Sequence, residues 1–327
     1  MNFEEFVENV RDSVEEVAGR ELSNFKVIVR RVTKNNNIRK RAISIVKEGQ
    51  NATPTIYLDK FYEDYKEGFR IGKIAEDIFN VYKQGMVKFE EEIDIDHIAD
   101  FDKIKDRIYV RVVNKRLNKV LLADIPHKNM LDLAIVYYLE VSSNGCDKAT
   151  ALIHNYHIDH WNVSAQELHE LAFNNTLANR QWSIVKIEDV IKGMIMQDVL
   201  DEVPLVEEHS EYNGKSMDEI EQMIEEELEN YKEDYAKEMY VLTNDIKFDG
   251  AVCMFYPDVL KNFAEEIDSD LYIIPSSIHE VLLVPKYADV SERLTSVLCE
   301  VNSKELDPME VLSDRIYEYS RAKDELF

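Results

Sequence analysis

Hydrophobic residues recur every three or four positions at the start of the chain, with acidic residues between them. This spacing places Phe3, Phe6, Val7, Val10 and Val14 on one face and predicts an amphipathic helix. Apolar periodicity predicts two further helices, at residues 57–65 and 71–82. A helix is also predicted to begin near Ser164, because Glu167 lies at the spacing of a capping box. The last predicted helix begins at Asp307-Pro308, a cap residue followed by a proline.

Short runs rich in β-branched and aromatic residues occur between these helical segments, often in pairs joined by polar turns. Phe25–Val32 and Arg41–Val46 flank Asn35-Asn36-Asn37, and Ile108–Val113 and Lys119–Ala123 flank a second polar turn. Each pair predicts a β-hairpin, and paired short strands favour antiparallel over doubly wound parallel sheets. Further strands are predicted at 131–141, 149–153, 239–243, 251–255, 271–274 and 278–284.

The predicted fold class is therefore α+β, with antiparallel β-hairpins packed on helices. Three segments, starting at Tyr57, Ile153 and Phe255, share bulky residues at their first, fifth, sixth and ninth positions. They suggest a repeated β-β-α-β-β module, although packing on one helical face also explains bulky residues at this spacing.

Acidic and basic residues are distributed unevenly along the chain, which the net charge alone does not show. The 327 residues carry 39 Lys and Arg against 65 Asp and Glu, a net charge of −26, and residues 201–240 alone hold fifteen acids against three lysines. We predict an N-terminal α+β lobe over 1–200, an acidic helical connector over 201–238 and a C-terminal α+β lobe over 239–327.

Two predicted hairpins are locally basic, with eight Lys and Arg each in residues 24–48 and 103–128. Such ribbons bind phosphate backbones or neutralise acidic helices of the same chain. The strongly negative total favours the second interpretation, so nucleic acid is the less favoured partner.

The composition also bounds the compartment and the cofactors. Cys146, Cys253 and Cys299 are widely separated, which is typical of a reducing compartment. There is no apolar leader and no apolar run long enough to span a membrane, so we expect a cytoplasmic protein. There is no glycine-rich phosphate loop in the sequence, and we expect no cofactor.

The densest group of possible metal ligands is His154, His157 and His160. Zinc requires three or four converging ligands, and steps of three residues spread these imidazoles around a helix. The histidines therefore form weak candidates for a metal site, and capping or surface positions are the favoured alternative.

A second candidate is the run that contains Ser276, Ser277, His279 and Glu280, with His127 at a comparable position after Pro126. Serine, histidine and glutamate are the residue types of a nucleophile, a base and an orienting acid. Neighbouring residues on a strand point to opposite faces, however, so turn formation competes with catalysis as the explanation.

This run, together with Met239–Asn244, Pro54–Leu58, Asp124–His127 and Leu131–Tyr137, resembles the bacterial domain-of-unknown-function family 5688. The resemblance covers most of the chain and implies a bacterial cytoplasmic protein. It implies no activity, because none is attached to that family.

Three functions remain open at this level. The absence of a complete catalytic constellation favours a non-enzymatic interaction protein that uses its acidic surface or the Pro275–Glu280 edge to bind a macromolecular partner. The alternative is a hydrolase with a site around Ser276–Glu280. The third is an acidic protein that mimics nucleic acid.

Overall fold

The computed structural model describes residues 1–49, 53–92, 100–142, 149–201, 222, 239–275, 277–286, 294–295, 298–299, 302 and 306–327. It confirms an α+β fold of helices and antiparallel sheets. No helix in these ranges combines the length and apolar character that crossing a membrane requires.

Nine α-helices and thirteen strands lie within the longer described ranges, and the described residues 222, 294–295, 298–299 and 302 are also helical. The helices are α1 Phe3–Ala18, α2 Asp59–Lys66, α3 Ile71–Glu92, α4 Phe101–Ile104, α5 Lys119–Leu122, α6 Asn155–Trp161, α7 Ala165–Asn179, α8 Ile187–Asp201 and α9 Val259–Glu266. The strands are β1 Phe25–Thr33, β2 Arg39–Lys47, β3 Ile56–Tyr57, β4 Ile108–Asn114, β5 His127–Met130, β6 Leu133–Ser142, β7 Ala149–Leu152, β8 Trp182–Lys186, β9 Tyr240–Asn244, β10 Leu271–Ile274, β11 Val281–Pro285, β12 Tyr317–Ser320 and β13 Glu325–Leu326.

The chain separates into two compact units. The first comprises Met1–Val110, Lys115–Lys128 and Val136–Thr176, and the second comprises Arg111–Asn114, Asn129–Ile135 and Leu177–Phe327. Apart from residues 201 and 222, the predicted connector over 201–238 lies outside the described residues, so the predicted lobes and connector stay predictions.

The core of the first unit follows from the predicted periodicity. Asn2 and Glu5 cap α1 reciprocally, since each backbone N–H donates to the other's side chain at 3.1 and 3.0 Å. The buried face of α1 packs with α3 and with the antiparallel sheet β1-β2-β3. The cluster includes Phe6, Val10, Ile43, Ile45, Ile78 and Phe79.

The second predicted hairpin is wrong. β4 forms as predicted, but residues 119–122 form α5, and β4 pairs with β6 in a sheet of order β4-β6-β5, with β7 beside β6. The reason lies in a buried pair of asparagines. Asn118 Nδ2 donates to Asn36 Oδ1 at 2.9 Å and Asn118 Oδ1 accepts from Asn36 N–H at 2.8 Å, which fixes the residue before α5.

The second unit contains a six-stranded sheet of order β13-β12-β10-β11-β9-β8. Two local predictions fail here: residues 251–255 belong to a 3-10 helix over Gly250–Phe255, and Asp307-Pro308 opens a turn rather than a helix. In that turn the Asp307 carboxylate accepts the Met309 N–H at 2.8 Å.

The repeated module is not confirmed. The three similar segments do contain α2, α6 and α9, but the strands around these helices differ in number and pairing. Val120-Leu121-Leu122 lies in α5 whereas Val281-Leu282-Leu283 lies in β11. Packing on one helical face within each segment therefore explains the bulky residues at this spacing, and a repeated module is not needed.

Candidate functional site

The Ser-Ser-Ile-His-Glu run lies in the turn before β11. His279 N–H donates to Ser277 Oγ at 3.0 Å, and the Ser277 side chain is buried. Thr243 Oγ1 donates to the His279 carbonyl at 2.8 Å. These bonds hold the turn against β9, which is the backbone-binding role that serine and threonine often have in turns.

Both ring nitrogens of His279 have neighbours. Nδ1 accepts the Asp249 backbone N–H at 3.1 Å, so the neutral ring carries its proton on Nε2. Nε2 lies 3.6 Å from Oε1 of Glu310, an acid from a different segment. A general base needs a free lone pair, and the lone pair on Nδ1 is already used by a backbone donor. The geometry therefore favours a structural role for His279.

The other members of this candidate site are less central. Burial raises the pKa of Glu280, an effect that His279 and Lys247 partly oppose. His127 lies in the first unit, where its Nδ1 is 3.1 Å from the Ile125 carbonyl oxygen. Ser276 lies outside the described residues.

The three histidines of the weak metal candidate lie in and before α6. His154 N–H donates to His157 Nδ1 at 2.9 Å, and His154 Nδ1 lies 2.7 Å from Asp124 Oδ2. The His157 ring stacks on Trp161, and burial lowers the pKa of His157. Among residues whose positions are described, no three His, Cys, Asp or Glu side chains are grouped as a metal site requires.

A buried group that sequence reasoning missed is centred on His169 in α7. Its Nε2 lies 3.1 Å from Lys128 Nζ, and its Nδ1 lies 3.2 Å from Tyr137 Oη. An ammonium can only donate, so Nε2 accepts and the proton of the neutral ring is on Nδ1. Burial raises the pKa of the Tyr137 hydroxyl, which therefore stays protonated at neutral pH.

This group makes stability depend on pH. Burial, and then the charge of Lys128, lower the pKa of His169 below its ordinary value, whereas Glu170 opposes the shift. Because the unfolded state then binds more protons, the contribution of His169 is present above about pH 6.5 and is lost on acidification. We expect Lys128→Gln to reduce the loss of unfolding free energy between pH 7 and pH 5, measured by urea denaturation.

Other titrating groups contribute equally to the pH dependence of the unfolding free energy in wild type and in the variant. The difference between the two pH dependences therefore isolates the effect of Lys128. Lys128→Arg keeps the cation and should retain the wild-type dependence. An unchanged dependence in Lys128→Gln would contradict the assigned neighbour effect.

A different feature of the second unit is a turn with an unusual backbone conformation beside a groove. Leu131 and Asp132 form the turn between β5 and β6, and Leu131 has a φ of 53° with 42% of its surface exposed. Leucine rarely adopts positive φ, which favours Gly, Asn or Asp. Asp132 holds the turn, since its Oδ2 accepts from Ser313 Oγ at 2.8 Å and its Oδ1 from Tyr317 Oη at 2.7 Å.

Leu131 stands at the edge of a groove of about 420 Å³. Its lining includes the largely buried Tyr256 and Tyr319, and both polar and apolar side chains supply the rest. We call this concavity, including its charged residues, the Leu131 groove. Its other apolar residues are Met130, Met254, Phe255, Leu260 and Leu326.

The charged residues of the Leu131 groove are mostly acidic. Lys261 Nζ pairs with Asp324 Oδ2 at 3.2 Å, and Tyr319 Oη donates to Asp324 Oδ1 at 2.6 Å. Asp258 and Glu325 are exposed and bring further carboxylates. The groove thus has a mixed polar and apolar lining with an excess of negative charge, which suits a ligand that has both an apolar part and a cationic part.

A family model described as a family of unknown function, DUF5688, matches residues 3–321. The chain belongs to this family. The match confirms the resemblance seen in the sequence and covers both units. No curated protein and no solved structure matches the chain. Because DUF5688 is a family of unknown function, membership in it does not identify what this protein does.

The sequence contained one signal for this groove that periodicity arguments do not use. A leucine follows Met130 and precedes Asp132 where a two-residue hairpin turn favours Asn-Gly or Asp-Gly. Reading residues 131–141 as one strand concealed the turn, because Leu131 is apolar like the strand that follows it. The groove also needs residues 319–326, which no local pattern connects to Leu131.

Proposed function

We propose that this protein is a non-enzymatic interaction protein of the bacterial cytoplasm that binds a segment of a partner protein in the Leu131 groove. The observation that carries the proposal is an exposed leucine held at positive φ in the lining of a groove that has both apolar and charged residues. Binding residues are commonly found on loops that a rigid scaffold positions, and β5 and β6 supply that scaffold.

The backbone of Leu131 supports a functional reading of its side chain. A non-glycine residue in the left-handed region costs about 1–2 kcal/mol relative to an unstrained conformation. Two hydroxyl groups, both from residues that are almost fully buried, fix the turn through Asp132. Strain that is held in this way occurs frequently at ligand-binding positions, where a particular side chain is required.

The charges of the groove indicate the class of partner segment. Three carboxylates, those of Asp258, Asp324 and Glu325, belong to the lining, and Lys261 neutralises one of them. A segment with a large apolar side chain close to a Lys or Arg would bury its apolar part beside Leu131 and place its cation near Asp258 or Glu325.

The first test uses Leu131→Asn, because asparagine tolerates positive φ while removing the apolar side chain. We expect the free variant to be about 1 kcal/mol more stable than wild type in urea denaturation. A displayed library of random peptides would be selected on the wild-type protein, and selected peptides should bind Leu131→Asn at least about 10-fold more weakly in calorimetry.

Val120→Asn is a matched control, since Val120 is an exposed apolar residue of the first unit with 62% exposure. It should leave peptide binding unchanged. The role of the groove carboxylates would be supported if the selected peptides are basic and apolar and bind Glu325→Lys more weakly than wild type. Peptides that bind wild type and Leu131→Asn equally, or selection that yields no binder, would contradict the proposal.

A further inference from the structure

β8 lies at the end of the six-stranded sheet and pairs with β9 on one side. Within the described part of the chain, no strand occupies its other side. Asp245 N–H donates to the Gln181 carbonyl at 2.7 Å, and Ile187 N–H donates to the Met239 carbonyl at 2.9 Å. Residues 181 and 187 thus direct their backbone groups toward the β9 side.

This alternation determines which backbone groups are directed to the open side. In an antiparallel pair, every second residue exchanges hydrogen bonds with the neighbouring strand. Ser183 and Val185 therefore bond to β9, whereas Trp182, Ile184 and Lys186 direct N–H and C=O groups away from it. A row of such groups is a template for a further strand.

β8 has few of the features that prevent strand addition. It contains no proline, its register with β9 is regular over all five residues, and Lys186 at its end is its one charged residue. Trp182 and Val185 expose 46% and 39% of their surfaces. An edge with exposed apolar side chains and regular geometry is expected to pair with another strand.

The sequence of β8 is complementary to itself in antiparallel orientation. If two copies pair around Ile184, each Ile184 faces its equivalent, and Trp182 of one copy faces Lys186 of the other. The second pairing sets a cation beside an aromatic ring, which is attractive. Ser183 and Val185 face each other in the same register, on the opposite face of the sheet.

We infer that this protein forms a two-fold symmetric dimer in which the β8 strands of two copies pair antiparallel around Ile184. The two six-stranded sheets then become continuous across the interface. Such an interface is isologous, since the same patch is used on both chains. The inference does not depend on the Leu131 groove, whose lining contains no residue of β8.

Ile184→Pro tests the interface while keeping the sheet of each chain. The N–H that proline lacks is one of those directed to the open side, so the bonds between β8 and β9 remain. We expect light scattering at about 50 µM to give the mass of two chains for wild type and of one chain for the variant, with dimer affinity lowered at least 10-fold.

A cross-linking experiment tests the register. In a chain with Cys146→Ser and Cys299→Ser, Ile184→Cys places two thiols opposite each other, where a hydrogen-bonded pair has a Cα separation of about 5.5 Å, within the disulfide range. Val185→Cys is the matched control, because its equivalents are offset by two residues. Oxidation should link the first variant and not the second.

Circular dichroism and urea denaturation of Ile184→Pro would verify that the chain stays folded. A wild-type mass of one chain at about 100 µM would overturn the inference. So would a dimer that persists in folded Ile184→Pro, or equal cross-linking at positions 184 and 185, because each result would assign self-association to another surface.

Discussion

Replacing Gly250 with alanine is expected to destabilise the second unit by at least about 3 kcal/mol. A Cβ at this position would lie 2.3 Å from Thr243 Oγ1, 2.6 Å from the His279 carbonyl oxygen and 2.7 Å from the Asn244 backbone nitrogen. Two of these neighbours are backbone atoms, so a side-chain rotation cannot relieve the contacts. Urea denaturation followed by circular dichroism measures the loss.

The large effect has a structural cause beyond the contacts themselves. Thr243 Oγ1 donates to the His279 carbonyl at 2.8 Å, so the groups that a Cβ would displace hold the turn before β11 against β9. A methyl group at position 250 would separate them and disturb the adjacent bond between Asp249 N–H and His279 Nδ1.

Gly193→Ala is the control for this prediction. Gly193 lies within α8, and a Cβ there would meet no atom within 4 Å other than its chain neighbours and the backbone of its own helix. Alanine is favoured over glycine inside helices by about 0.5–1 kcal/mol, so this variant should be as stable as wild type or slightly more stable. Equal effects of the two substitutions would contradict the argument from close contacts.

Asp132→Ala is expected to cost about 2–4 kcal/mol of unfolding free energy. The carboxylate accepts two hydroxyl hydrogen bonds, at 2.8 Å from Ser313 and at 2.7 Å from Tyr317, and both donors belong to nearly fully buried residues. Without the carboxylate, the Tyr317 hydroxyl would lose this partner. The Leu131 turn would also lose the bonds that hold it.

A double-mutant cycle with Tyr317→Phe isolates the interaction. Because Tyr317→Phe removes the hydroxyl, Asp132→Ala should cost less in that background, with a coupling energy of about 1–3 kcal/mol by urea denaturation. Asp132→Asn keeps a carbonyl acceptor and should fall between wild type and alanine. Additive single effects would show that the 2.7 Å contact contributes little to stability.

Local sequence patterns predicted much of the fold. The apolar spacing in residues 3–18 predicted α1, and the β-rich runs around Asn35-Asn36-Asn37 predicted the hairpin of β1 and β2. The Ser164–Glu167 capping box is present, with Glu167 N–H donating to Ser164 Oγ at 3.2 Å. These features depend on residues within one turn or one hairpin, where spacing alone decides which side chains meet.

The same patterns failed where distant contacts overrode local preference. Residues 119–122 are apolar enough for a strand, yet the Asn36–Asn118 pair fixes the residue before a helical turn. Residues 251–255 read as a strand, yet the chain coils tightly after Gly250 against Thr243. In each case the deciding partner is not a sequence neighbour within the element.

The Ser-Ser-Ile-His-Glu candidate site stays a prediction. Sequence reasoning selected Ser277, His279 and Glu280 because their residue types can perform catalysis, and hydrogen bonds within the fold account for the first two. It did not select Leu131, because an apolar residue next to a strand reads as part of that strand and the unusual turn residue is not a periodic signal. Only the backbone dihedral and exposure of Leu131 distinguish it from a core residue.

The sequence by itself determined the α+β class, the first unit's amphipathic helices and hairpin, and family membership, since each depends on local spacing or on direct similarity. Tertiary structure alone decided that β8 pairs with β9 at the end of a sheet and that Asp132 meets residues about 180 positions away. Side-chain periodicity specifies which face of an element is buried. It does not specify which distant element covers that face, and the groove and the open strand edge both depend on that choice.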